Sequence, residues 1–228
     1  MGYVLVVLCA IFALAVLPGL WVKRIIKEHG RERAEFPGTG GDFARHLLDE
    51  MKLDNVKVEE TALGDHYDPE IKAVRLLPEH YKGRSLSAIV IAAHEVGHAM
   101  QDATGYAPLH ARTRLAKQAQ RFEQVGAIVM LAAPIVMILS KSPMIMILQV
   151  MIGVLIIGMT VLIHAVTLPT EFDASFRRAL PVLEAGKYVK PEDMVSARKL
   201  LRAAALTYVA AAAMSLLDVV RWLRILRI

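Results

Sequence analysis

Ser85-Leu86-Ser87-Ala88-Ile89-Val90-Ile91-Ala92-Ala93-His94-Glu95-Val96-Gly97-His98-Ala99-Met100-Gln101-Asp102 is the stretch on which the reading of this chain turns. Its apolar content predicts a helix from Leu86 to Asp102. Ser85 stands where an N-cap belongs, because its hydroxyl can accept from a free N–H of the first turn. Thr104-Gly105 ends the helix, and Pro108 bars its simple continuation. Within it lies His94-Glu95-Val96-Gly97-His98. Positions i and i+4 share one helix face, one turn apart. Two imidazoles so placed can reach one Zn²⁺ at ~2.0–2.1 Å each. Glu95, beside the first imidazole, can then take a proton from a water that the cation acidifies. The plainer reading is two surface histidines beside a solvated glutamate. Against it, two imidazoles and a carboxylate are costly on an otherwise apolar helix unless they hold something.

A catalytic zinc site uses three protein ligands and leaves one position open. A third histidine in the same segment is ruled out, because the position six residues after His98 is Thr104. A distant carboxylate is therefore expected. Glu171, in Leu168-Pro169-Thr170-Glu171-Phe172-Asp173-Ala174-Ser175, fits best, with Thr170 as the cap of a helix beginning there. Glu184 and Glu192 lie in looser, more polar sequence. The plainer reading of Glu171 is an acid that favours a helix N-terminus.

The 228 residues are enough for one or two domains. The apolar share is 55% and the mean hydropathy +0.43. A single cysteine, Cys9, rules out a disulfide within the chain and a cysteine-based zinc site. The net charge of +5 comes with no patch of mixed basic and aromatic residues, so nucleic acid is not an expected partner.

Most of the apolar excess sits in uncharged runs. A spanning helix needs ~20 mainly apolar residues. Tyr3 to Val22 meets that length and reads as a retained anchor, with Lys23, Arg24, Lys27, Arg31 and Arg33 following it. Val125–Leu139 and Met144–Leu168 are separated only by Ser140-Lys141-Ser142-Pro143 and read as an antiparallel pair. Ala203–Leu217 either spans or packs half-buried. The basic flanks place the segments between the runs in the cytoplasm. The expected fold is mainly α: polytopic membrane helices with a cytoplasmic zincin-like helical domain carrying a small β element. The expected parts are an anchor (1–22), a metallopeptidase region (23–124), a transmembrane hairpin (125–168), a region with the third ligand (169–202) and a C-terminal apolar helix (203–228).

In the polar part, Phe43, Leu47, Leu48 and Met51 recur at helical spacing, with Asp42 near the start. Val56-Lys57-Val58 and Ala73–Leu77 are strand candidates, with a turn near Asp68-Pro69 between them. Another helix begins near Leu109 and runs into the second apolar run.

Taken with Gly83-Arg84-Ser85-Leu86, Met100-Gln101 and Gly105-Tyr106-Ala107-Pro108-Leu109, the His94–His98 block resembles the YugP-type neutral zinc metallopeptidase family of bacterial membranes. Asp65-His66-Tyr67-Asp68-Pro69 and Leu168–Ser175 resemble two further blocks of that family, and the resemblance runs from about residue 36 to 228. The family looks like a relative of the HtpX-type and prenyl-protein membrane proteases, which use two histidines and a distant glutamate. The resemblance makes Glu171 the third ligand. Those relatives place a supporting carboxylate four residues after that glutamate; here the position is Ser175, leaving Asp173 or Asp102 as substitutes.

The resulting expectation is a zinc-dependent, gluzincin-like endopeptidase holding one catalytic Zn²⁺ through His94, His98 and Glu171, with Glu95 as general base. It would be a multi-pass protein of the plasma membrane with its site on the cytoplasmic side. Its partners would be the lipid bilayer, a protein or peptide substrate in or near the membrane, and a regulatory membrane protein. The competing readings are a non-catalytic zinc-containing membrane adaptor, which a fourth close ligand such as His164 or Asp102 would favour, and a hydrolase of a lipid or other amide. Asp102 could also steady a ligand imidazole, His66 and Tyr67 could line the cleft, and Arg178 could stabilise charge or simply be solvated. His29, His46, His80 and His110 carry no signal.

Overall fold

A computed structural model describes residues 2–140 and 142–207. These fall into two compact units. One holds the described residues of 1–19 and 111–167, the other residues 20–110 and 168–207. All the expected site residues belong to the second unit.

Helix α1 (Gly2–Glu28) enters that unit with its last turns. Helix α2 (Gly40–Glu50) begins at a capping box. The Thr39 hydroxyl accepts from the Asp42 N–H, and the Asp42 carboxylate accepts from the Thr39 N–H. Asp42 is thus the third residue of a cap and not merely an acid near a helix start. These bonds hold its carboxyl below the usual range, the backbone N–H of Thr39 first and its hydroxyl second, with burial opposing.

A three-stranded sheet follows: β1 (Lys57–Glu60), β2 (His66–Asp68) and β3 (Ala73–Leu76), in the order β1-β3-β2. β1 runs parallel to β3 with Val58 opposite Val74, and β2 antiparallel with Tyr67 opposite Val74. The β element is therefore larger than expected. The block read as a turn contains β2, because β3 supplies paired backbone partners that local sequence cannot show. The chain reverses after it, with Lys72 in the left-handed region at φ 55°.

A short helix α3 (Pro78–Tyr81) leads to α4 (Leu86–Ala103), close to the bounds expected. The Ser85 hydroxyl accepts from the Ala88 N–H at 3.2 Å. Gly105, at φ 65°, turns the chain out of the helix. α4 is buried on almost every face, which makes it the central element. Around it pack α2, the sheet, α8 (Met194–Ala205) and a π-helix (Asp173–Ala179). Leu47, Leu48, Leu76, Val90, Leu183, Leu200 and Leu201 fill the contacts. Each such side chain contributes roughly 1.5–3 kcal/mol by leaving water.

Helix α5 (Ala107–Ser140) is continuous, as is α6 (Pro143–Phe172). The expectation of polytopic membrane helices is corrected here: among the described residues no helix is long and apolar enough to cross a membrane. A span needs ~20 apolar residues in succession. Most of the fourth apolar run, 208–217, lies outside the described residues.

No helix begins at Thr170. α6 runs through Pro169 and Glu171 and passes directly into the π-helix. The Leu180 N–H bonds to the Ser175 carbonyl, five residues back. Pro181 follows at the start of α7 (Leu180–Ala185). A proline ring there would clash with the Arg177 carbonyl in a regular α-helix, and the wider turn accommodates it.

Candidate metal centre

The centre is built on two neighbouring turns of α4 and on the last turn of α6 with the π-helix that follows. His94, Glu95 and His98 are buried, and so is Glu171. His94 Nε2 lies 3.3 Å and His98 Nε2 3.2 Å from the same Glu171 oxygen, Oε2. The two imidazoles meet edge to face with centroids 4.8 Å apart. Among the described residues, these three form a group whose donor atoms all lie within 4.8 Å of one another.

Close approach of the two elements depends on Gly97. A Cβ there would stand 2.7 Å from the backbone oxygen of Ala174. The glycine between the two histidines thus lets the segment carrying Glu171 and Ser175 lie directly against α4.

The outer nitrogens of both rings are occupied. Ser175 Oγ lies 2.9 Å from His94 Nδ1 and donates to the Leu201 carbonyl at 3.0 Å. Gln101 Oε1 lies 2.9 Å from His98 Nδ1. The Gln101 amide nitrogen donates to the Thr170 carbonyl at 2.8 Å and to Asp173 Oδ2 at 2.9 Å. Asp173 also accepts from Arg178 Nε at 2.8 Å, and the Arg178 guanidinium lies 5.5 Å from the centre of the Tyr106 ring. Burial pushes the Asp173 carboxyl up, but the hydrogen bonds from Arg178 and Gln101, with the charges of Arg178 and Arg177, outweigh it and hold it below the usual range.

Several expectations are corrected by this geometry. Asp102 does not support a ligand imidazole: it accepts from the Tyr67 hydroxyl at 2.6 Å and pairs with Lys72. Burial first, and then the Asp102 hydrogen bond, push the Tyr67 phenol well above its ordinary value. His66 Nδ1 meets the Gly64 carbonyl at 2.8 Å, a contact within its own turn. Arg178 is held by Asp173 instead of being a solvated flank. His80, which carried no signal, is buried 2.8 Å from Asp65. Glu184 pairs with Arg198, away from the ligands. The side chain of His164 lies outside the described residues.

Gly97, Gln101 and Ser175 were missed as functional positions. The available signals were a glycine inside a helix, which costs about 1 kcal/mol unless packing demands it, and polar residues three or four places from a ligand on the same helical face.

The residues present fit a zinc ion. Two imidazole nitrogens and one carboxylate oxygen are a donor set that zinc takes in catalytic sites, and three ligands leave a coordination position open. Of the two carboxylates on α4, Glu95 and Asp102, the second is committed to Tyr67 and Lys72.

Comparison with known proteins agrees with this chemistry. The family model described as putative neutral zinc metallopeptidase matches residues 3–227. A relative from Bacillus subtilis (strain 168), described as putative membrane protease YugP, is 34% identical over 206 residues, spanning 90% of this chain and 88% of that protein. No solved structure matches the chain. The match over almost the whole length, around a centre of this composition, shows that the chain belongs to the putative neutral zinc metallopeptidase family.

Proposed function

We propose that the protein is a gluzincin-like zinc endopeptidase in which His94, His98 and Glu171 hold one zinc ion and Glu95 is the general base. The observation that carries this reading is the convergence of both Nε2 atoms on one Glu171 oxygen, at 3.3 and 3.2 Å, with Glu95 on the same turn of α4. A bound zinc ion would polarise the scissile carbonyl and acidify a water. Glu95 takes the proton of that water and returns it to the leaving amine. His94, His98 and Glu171 would hold the cation, and their burial would limit the access of bulk water to it.

The substrates we propose are proteins at or near a membrane. The description of the Bacillus relative as a membrane protease supports this. So do the exposed apolar side chains of α5 and α6, among them Ile128, Ile135, Met151 and Leu155, a kind of surface that marks protein or membrane contact.

The test is Glu95→Gln in the full-length chain. It should bind one zinc per chain with wild-type affinity and cleave a casein or fluorogenic peptide substrate at least about 100-fold more slowly, the usual contribution of a general base. Cleavage at the wild-type rate by that variant would refute the assignment.

A further inference from the structure

The hydrogen bonds behind the two imidazoles decide where their protons sit. The Gln101 amide nitrogen faces two groups that can only accept, the Thr170 carbonyl and the Asp173 carboxylate. The amide therefore cannot be reversed without setting its oxygen against both. Its oxygen must face His98 Nδ1, at 2.9 Å, and can only accept there. Nδ1 of His98 consequently carries the hydrogen. The same logic holds for His94 with a different partner. A serine hydroxyl has one hydrogen, and Ser175 gives it to the Leu201 carbonyl. Ser175 Oγ can then only accept from His94, so His94 Nδ1 carries the hydrogen as well.

A neutral imidazole protonated at Nδ1 has its lone pair on Nε2. Both lone pairs then point at Glu171 Oε2. Three electron-rich atoms within 4.8 Å in a buried site repel one another unless a proton or a metal cation lies among them. The arrangement presents a set of ligands already in the tautomer that a metal requires.

We propose that Gln101 and Ser175 are positioning residues that hold His98 and His94 in the Nδ1–H tautomer before the metal arrives, and that Asp173, clamped by Arg178, fixes the orientation of Gln101. Ser175 thereby serves without a carboxylate at its position. Its proton is committed to Leu201 on α8, so its oxygen is left as an obligate acceptor. Asp173 acts on the other imidazole, through the Gln101 amide. Gln101 and Ser175 are fully buried, which keeps competing water away from these bonds. The proposal rests on reading the three donors as a metal site.

The experiment uses the full-length chain labelled with ¹⁵N-histidine, with His94 and His98 assigned from His94→Gln and His98→Gln. Two-bond nitrogen–proton correlations show which ring nitrogen is protonated, in the metal-free chain and with one equivalent of zinc. In the metal-free wild type, both imidazoles should be Nδ1–H. Ser175→Ala should shift His94 alone toward the other tautomer, and Gln101→Leu should shift His98 alone. Each should weaken zinc binding about 10–100-fold in a chelator competition. Should Gln101→Leu fail to fold, Arg178→Gln leaves the core intact and should produce a smaller shift at His98 only. Residues that merely pack would lower the melting temperature and leave tautomers and zinc affinity unchanged. An Nε2–H imidazole at either position in the metal-free wild type overturns the proposal, as does wild-type zinc affinity in both variants. A wild-type chain that binds no zinc but shows both Nδ1–H tautomers refutes the metal reading alone.

Discussion

Gly97 lies against the backbone of Ala174 so closely that a Cβ on it would stand 2.7 Å from the Ala174 oxygen. Nine in ten real Cβ contacts are longer than 3.4 Å, and here the atom met is backbone, which cannot swing aside. Two opposing effects bear on Gly97→Ala. Alanine gains about 1 kcal/mol of helix propensity over glycine. Overpacking against a fixed backbone costs about 1–3 kcal/mol. The clash should win, lowering the melting temperature. Because Ala174 lies between Glu171 and Ser175, the same shift moves a ligand and a positioning residue. Zinc affinity should fall with stability, as read by calorimetry and chelator competition on one sample.

Metal removal has a calculable signature. A ligand at about 1,000 times its dissociation constant stabilises the folded state by roughly 4 kcal/mol. Chelation should therefore lower the melting temperature, and zinc should restore it. Glu171→Gln should abolish this response. It should leave the metal-free chain folded, because the amide conserves the volume of the carboxylate it replaces. A Glu171→Gln chain that still gains the wild-type increment with zinc would show that the glutamate is not a ligand.

Tyr67→Phe separates Asp102 from the metal. Loss of the hydroxyl leaves Asp102 with Lys72 and costs about 1–3 kcal/mol of stability. Zinc affinity should not change, since Asp102 is bonded to neither ligand imidazole. The pH dependence has a definite sign. The Tyr67 phenol is raised in the folded chain, by burial first and then by its bond to Asp102. Above about pH 10 the unfolded chain releases the phenol proton while the folded chain keeps it. The unfolded state then binds fewer protons, so stability falls as pH rises. Tyr67→Phe should remove that part of the alkaline slope in denaturant titrations.

Acid acts at a different place. Arg33, after α1, bonds to Asp193, just before α8, at 2.6 Å. This bond, with burial opposing and the charge of Arg33 assisting, holds the Asp193 carboxyl below its ordinary value. The stabilisation is fully present above the unfolded carboxylate pKa of about 3.9. It is lost as pH falls through the lower folded value. Asp193→Asn should be less stable than wild type at pH 7, by no more than about 1 kcal/mol for a partly exposed pair. The difference should vanish near pH 2, and equal stability at both pH values would exclude a contribution from the pair.

Much of the site is written locally. His94, Glu95 and His98 need only the helical repeat to be brought to one face, and Ser85 and Gly105 mark where that helix starts and stops. Such features depend on neighbours within a few residues, so sequence alone was enough to place them. Among the described residues, hydropathy went further than the fold supports when it made spans of apolar runs, because a run of apolar residues records affinity for a nonpolar surrounding and not which surrounding is provided.

What the sequence by itself determined was the α4 helix, its caps and the pair of imidazoles one turn apart. Tertiary structure alone decided that Glu171, 73 residues beyond His98, meets both rings at one oxygen, that Ser175 and Gln101 hold their outer nitrogens, and that Asp102 turns instead to Tyr67 and Lys72. The reason is physical: a hydrogen bond is specified by distance and direction within a few tenths of an ångström, and for residues far apart in the chain those are set by how closely two helices can pack, which here is governed by the missing side chain of Gly97.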